Sequence, residues 1–155
     1  MRFTVDPIAA QRFALAVGDL NPIYFDPVAA QAAGLPGLVA PPLFITSQNS
    51  WEAGPPTEEL AFDGVNPKRF PGAISSERTT LGGSQEVEFR RPVLLGETLE
   101  VSVEQKESYE REASQGTLRI FVIEARFTDS AGELVAVARD SVITAPANFG
   151  KAASS

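Results

Sequence analysis

Thr117–Phe127 reads TLRIFVIEARF. Its centre, Ile120-Phe121-Val122-Ile123, is apolar at every position, so a strand there buries both faces, which marks it as an inner strand of a sheet. The flanking runs supply its neighbours. Downstream, DSAGE (Asp129–Glu133) makes a turn into LVAVARDSVIT, a second strand rich in β-branched residues. Upstream, in ETLEVSVEQ, Leu99, Val101 and Val103 alternate with Glu100, Ser102 and Glu104, and in SQEVEFRRP, Val87 and Phe89 alternate with Glu86, Glu88 and Arg90. Strict alternation gives each of these strands one wet face.

The first third of the chain has a different period. Ile8, Ala9, Arg12, Phe13, Ala16 and Val17 recur at helical spacing, and Gly18 stops that helix. Asp26-Pro27 restarts it, because Asp accepts the free N–H groups of a first turn and Pro at the first position loses nothing. The short helix VAAQAA then ends at Gly34. A third helix is predicted from Pro41-Pro42 through LFITSQNSWEAG, with Leu43, Phe44, Ser47, Gln48 and Trp51 on one side and Gly54 as its stop. Turn formers and mixed charge fill positions 55–81, which read as a long flap, and 146–155 is a small, polar, frayed tail. Helices followed by long strands with one wet face predict an α+β fold. Its single domain spans 1–145, an antiparallel sheet wrapped around a long central helix.

Composition removes whole classes of function. Acidic residues outnumber basic ones 20 to 13, so the field repels nucleic acid and anionic membranes. The start MRFTVDPIAAQRF lacks a basic segment with a continuous apolar run, and Pro36, Pro41 and Pro42 break the apolar stretch that follows Ala32. A cytoplasmic protein with no membrane insertion is expected. With no Cys and no His, thiolate and imidazole metal sites, thiol nucleophiles and Ser-His-Asp triads are excluded within the chain. Chemistry here runs on carboxylates, hydroxyls, amides and backbone donors, or borrows from another chain.

Three segments carry a family resemblance: GDLNPIYFDPVAAQAAG (18–34), VAPPLF (39–44) and GGSQEVEFRRPVLLGETL (82–99). The sequence resembles the MaoC-like hydratase/dehydratases, in particular the branch called FAS1-like dehydratase or MaoC N-terminal dehydratase regions, which implies a hotdog fold. In active members the first loop has the form G-D-x-N-P-x-H-x-D, whose Asp and His hold a water that adds to a trans-2-enoyl thioester. On that pattern Asp19 matches the catalytic Asp, Asn21 the Asn and Asp26 the second Asp, while Tyr24 occupies the His position. Tyrosine, with an ordinary pKa of about 10, is a poor base at neutral pH. Active members also open their helix with a His-Gly pair whose Gly N–H polarises the thioester carbonyl. Here Pro41 and Pro42 match that pair and have no N–H, leaving Leu43 as a substitute donor.

The resemblance therefore implies the supporting half of an (R)-specific enoyl-thioester hydratase or 3-hydroxyacyl-thioester dehydratase. Its ligand is a CoA or acyl-carrier thioester, it needs no cofactor, and its partner is a second copy or a catalytic MaoC-like subunit. Alternatives are a self-sufficient enzyme using Asp19 and Tyr24, a thioesterase resting on Glu52, and an acyl-thioester-binding hotdog without turnover. Each candidate residue also has a plain structural reading. Asp19 and Asn21 suit a tight turn, and Tyr24 suits a packed aromatic. Arg90 and Arg91 suit either the phosphates of a thioester arm or a solvated strand edge, as do Lys68 and Arg69. Asn21, Pro42, Leu43, Arg90 and Arg91 are the candidate substrate-binding residues, and Ser47, Gln48 and Ser50 are further polar candidates on the third helix.

Overall fold

A computed structural model describes residues 1–48, 58 and 78–149. The chain opens with strand β1 (Arg2–Thr4) and helix α1 (Pro7–Val17). A 3-10 turn (Pro22–Tyr24), α2 (Pro27–Ala32) and α3 (Phe44–Gln48) follow, and then β2 (Arg78–Phe89), β3 (Thr98–Ala113), β4 (Gly116–Thr128) and β5 (Leu134–Pro146). The strands form one curled antiparallel sheet in the order β1-β3-β4-β5-β2. TLRIFVIEARF lies in β4, an inner strand, and Ile120, Phe121 and Ile123 are buried. The fold is the hotdog expected from the sequence. Among the described residues no helix is long and apolar enough to cross a membrane.

Residue contacts divide the chain into two compact units. The first comprises 1–52, 87–102 and 125–138. Its core joins Phe44 and Ile45 of α3 to Leu99, Val101, Phe127 and Val135 from the strands, with Val5 from the N-terminal segment. Val93, Ala10, Ala40, Ala125, Ala136 and Ala138 complete the cluster, and the small alanine side chains let helix and sheet backbones approach closely. Phe13 meets Phe44 edge-on at 5.8 Å between ring centroids. β1 pairs antiparallel with β3 in the register Arg2↔Glu100, Phe3↔Leu99 and Thr4↔Thr98.

The second unit comprises 53–86, 103–124 and 139–155. There Glu124 is buried and accepts a hydrogen bond from Arg139 at 3.0 Å, with Lys106 at 3.8 Å. Arg78 donates to the buried Thr144 hydroxyl at 3.0 Å and to the Thr117 carbonyl at 2.7 Å. A Cβ added at Gly83 would meet the Ser141 backbone and lie 2.9 Å from its Cβ, so this close approach of the chains requires glycine.

Several sequence expectations shift. The buried face of α1 is Ala10 and Ala14, with Ala9 and Phe13 partly covered, while Ile8 and Val17 are exposed. Helical spacing located the helix but assigned the apolar stripe one position off. Val103 is also exposed, because β3 is open to solvent on both faces from Ser102 to Glu112 and alternation there does not reflect burial. The third helix starts at Phe44, after a turn in which the Phe44 N–H bonds the Pro41 carbonyl at 3.0 Å. Its predicted continuation through Trp51 and Glu52 to Gly54 lies outside the described residues. Arg78 to Leu81, assigned to the flap, belong to β2, and most of the remaining flap, with Lys68 and Arg69, is outside the described residues. Phe149 donates its N–H to the Pro146 carbonyl at 2.8 Å, extending ordered chain into the predicted tail.

Candidate functional site

The loop at the end of α1 is built from local hydrogen bonds. Gly18 adopts φ 75, and its N–H reaches the Ala14 and Leu15 carbonyls, which terminates the helix. The Asp19 N–H then bonds the Ala14 carbonyl at 2.9 Å. Asp19 Oδ1 accepts from the Asn21 N–H at 3.3 Å, and Asn21 Oδ1 accepts from the Ile23 N–H at 3.2 Å, capping the 3-10 turn. Asp26 Oδ1 caps α2 by accepting from the Val28 N–H at 2.8 Å. The polar residues of GDLNPIYFDP therefore shape the loop, and the Asn21 carboxamide oxygen is committed to its cap.

Asp19 makes a second contact that spacing alone does not reveal. The Tyr24 hydroxyl donates to Asp19 Oδ2 at 2.9 Å. Tyr24 is 5% exposed and packs with Ala14 and Val39, and its ring meets Phe25 edge-on at 6.2 Å. Its carbonyl accepts from Gln11 Nε2 at 3.0 Å, a support from α1 that the sequence reading missed. Burial, then the hydrogen bond to Asp19, then the negative charge of Asp19 push the phenol up from 10.0 to about 12. At neutral pH it is a neutral donor already engaged with a carboxylate.

Tyr24 also lines a cavity of about 440 Å³. Ile23, Leu35, Val39, Ala40, Pro42, Phe89 and Val93 form apolar wall, and Arg90, Arg91 and Pro92 complete the lining. Pro42 is thus at the cavity, as the sequence motif implies, whereas Leu43 is 52% exposed. Phe89 was foreseeable from alternation along β2. Ile23 sits in the 3-10 turn, and Leu35 and Val39 in the irregular segment between α2 and α3, where Val39 bridges Leu94; no period identifies an inward side there.

The adjacent arginines differ sharply. Arg90 pairs with Glu88 at 2.9 Å, and both side chains are about half exposed. Arg91 grips both Glu97 oxygens, at 3.1 and 2.8 Å, and reaches Asp129 at 3.1 Å. Glu97 in turn accepts from the Leu94 N–H at 2.6 Å. Hydrogen bonding to Glu97 is the main cause that holds the Arg91 proton more tightly than usual. Asp129 lies below the ordinary carboxylate range, first because it accepts the Glu133 N–H and also because of Arg91.

The FAS1-like dehydratase domain region matches residues 1–138. The chain belongs to that family. That family falls within the MaoC-like hydratase/dehydratases. It is 32% identical over 134 residues to a UPF0336 protein of Parafrankia sp., covering 86% of this chain and 79% of the relative. A shorter match, 46% over 56 residues, links it to the alpha subunit of the Mycobacterium tuberculosis 3-oxo-4,17-pregnadiene-20-carboxyl-CoA hydratase; it covers 36% of this chain and 15% of that protein. Among solved structures, the chain is similar to a chain of the M. tuberculosis HadBC (3R-hydroxyacyl-ACP dehydratase) complex, with a TM-score of 0.71 and 25% identity. That match covers 92% of this chain and 90% of the other.

Proposed function

We propose that this chain is the supporting, substrate-binding subunit of an (R)-specific enoyl-thioester hydratase or 3-hydroxyacyl-thioester dehydratase, acting with a MaoC-like chain that carries the intact Asp-His loop. The observation that carries this reading is the 2.9 Å hydrogen bond from the Tyr24 hydroxyl to Asp19, with the phenol raised to about 12. Hydration requires one group to take a proton from water and another to deliver a proton to the α-carbon, each with a pKa near the working pH. Tyr24 cannot take a proton in its neutral form, and its own proton is directed at Asp19. Pro42, at the same cavity, has no N–H with which to polarise a thioester carbonyl. What persists is an apolar cavity suited to an acyl group. The HadBC structure is that of a complex and the Mycobacterium hydratase match is to a subunit, which supports an assembly with an unlike partner.

The test is hydration of trans-2-enoyl-CoA, followed as loss of the conjugated-thioester absorbance, with the folded chain alone and then with an intact-loop partner. The expected result is no turnover alone and turnover in the pair that exceeds the partner by itself. Turnover by the isolated chain that disappears in both Asp19→Asn and Tyr24→Phe would replace this reading with a self-sufficient enzyme. Saturable binding with no rate enhancement in any pairing would leave a binding hotdog.

A further inference from the structure

Arg90 and Arg91 are neighbours in sequence and line one cavity, yet their surroundings give them opposite capacities. Among the described residues Arg90 has one carboxylate partner, Glu88, two residues back near the end of β2, with both side chains about half exposed. An exposed pair of this kind contributes little, so its guanidinium is available to a competing anion. Arg91 has both terminal guanidinium nitrogens committed, to Glu97, Asp129 and the Pro92 carbonyl, the last at 3.0 Å. Glu97 fixes the Leu94 N–H. The same segment bonds α3's approach, through Ala40 N–H to the Val93 carbonyl at 2.8 Å and Leu95 N–H to the Leu38 carbonyl at 2.9 Å. Val39, Ala40, Pro92 and Val93 are cavity wall. The clamp on Arg91 therefore ties the two stretches that form that wall.

We infer that the two arginines divide the site between them. Arg90 is the cation that meets the anionic head of an amphipathic ligand whose apolar part occupies the cavity, and Arg91 is a positioning residue that holds the wall and touches no ligand. The ligand class rests on the acyl-thioester reading above, and the phosphate of a phosphopantetheine arm is the anion that such a ligand brings. The carboxylates around Arg91 make it unavailable: an anion approaching it would meet Glu97 and Asp129 as like charges. Among the described residues Arg90 pairs with Glu88 alone, and that half-exposed carboxylate can swing to solvent.

The experiment measures binding of decanoyl-pantetheine, which is uncharged, decanoyl-4′-phosphopantetheine and decanoyl-CoA to the full chain and to Arg90→Met, Arg91→Lys and Asp129→Asn, each shown to be folded by circular dichroism. Arg90→Met is expected to weaken the charged ligands about tenfold and leave decanoyl-pantetheine unchanged. A loss already complete with phosphopantetheine assigns the shared phosphate, and a loss seen only with CoA assigns the nucleotide phosphates. Arg91→Lys keeps the charge but not the two-pronged grip, so it should weaken all three ligands by the same factor. Asp129→Asn should show a smaller uniform loss. Arg91→Lys that binds all three like the wild type, or an Arg91 effect confined to charged ligands, would overturn the division. Failure of the wild type to bind any of them refutes the acyl-binding reading and Arg90's role together. The Arg91 role is then read by hydrogen exchange: faster exchange at the Ala40 and Leu95 amides in Arg91→Lys supports it, and unchanged exchange refutes it.

Discussion

Tyr24 and Tyr109 are the two tyrosines of the chain, so Tyr109→Phe turns the tyrosinate absorbance into a titration of Tyr24 alone. The side chain removed is 52% exposed, which makes the substitution mild. In the folded protein Tyr24 stands at about 12 against an ordinary 10.0. At 1.4 kcal/mol per pH unit, that difference corresponds to about 3 kcal/mol of preference for the protonated phenol. The folded value is the raised one, so the contribution is present in full below pH 10 and is lost as the pH climbs through 12. The expected titration shows no tyrosinate below pH 10 and a midpoint near 12, with denaturant stability falling over the same interval.

Asp19→Asn separates the causes. Burial is the largest and survives the substitution, whereas the anionic acceptor does not, so the midpoint should move down toward 10 without passing it. Tyr24→Phe should remove this contribution to the alkaline decline in stability. A Tyr24 midpoint at or below 9 would refute the reasoning, because an accessible phenolate could then act as the base that the supporting-subunit reading denies it.

Three further substitutions test other links. Tyr24→His restores the motif's side chain but not the carbonyl donor lost at Pro42, so any enoyl-CoA hydration it gains should remain about 10²- to 10³-fold below an intact-loop partner in the same assay. Gly83→Ala should destabilise by about 1–3 kcal/mol in urea unfolding, since the added methyl runs into the Ser141 backbone. Phe127→Ala, at a side chain with no exposure in the core of the first unit, should cost about 3–5 kcal/mol by the same measurement.

The sheet was legible because each strand carries a local pattern: Ile120 to Ile123 announce an inner strand, and Val87 and Phe89 mark the inward side of an edge strand. Capping was legible for the same reason, as Gly18 and Asp26 act within a few residues of themselves. Side-chain partners far apart in sequence were not. Nothing in RRP distinguishes an arginine bound to Glu97 and Asp129 from one facing solvent, since the distinction depends on the β4–β5 turn lying beside the end of β2. The exposed Ile8 and Val103 failed in the opposite direction, because apolar periodicity reports a face but not whether anything covers it.

The two departures from the catalytic pattern acquire weight from their place in the fold. Tyr24 and Pro42 are separated in sequence, yet both line the same cavity. On the supporting-subunit reading, Tyr24 stands at the base position and Pro42 at the donor position, while the apolar wall from Ile23 to Val93 and the Arg91 clamp beside it are in place. An apolar cavity can orient an acyl group, and orientation is a distinct contribution to rate from proton transfer. On the supporting-subunit reading an assembly of unlike chains uses that separation: this chain holds the substrate while its partner supplies the acid and base.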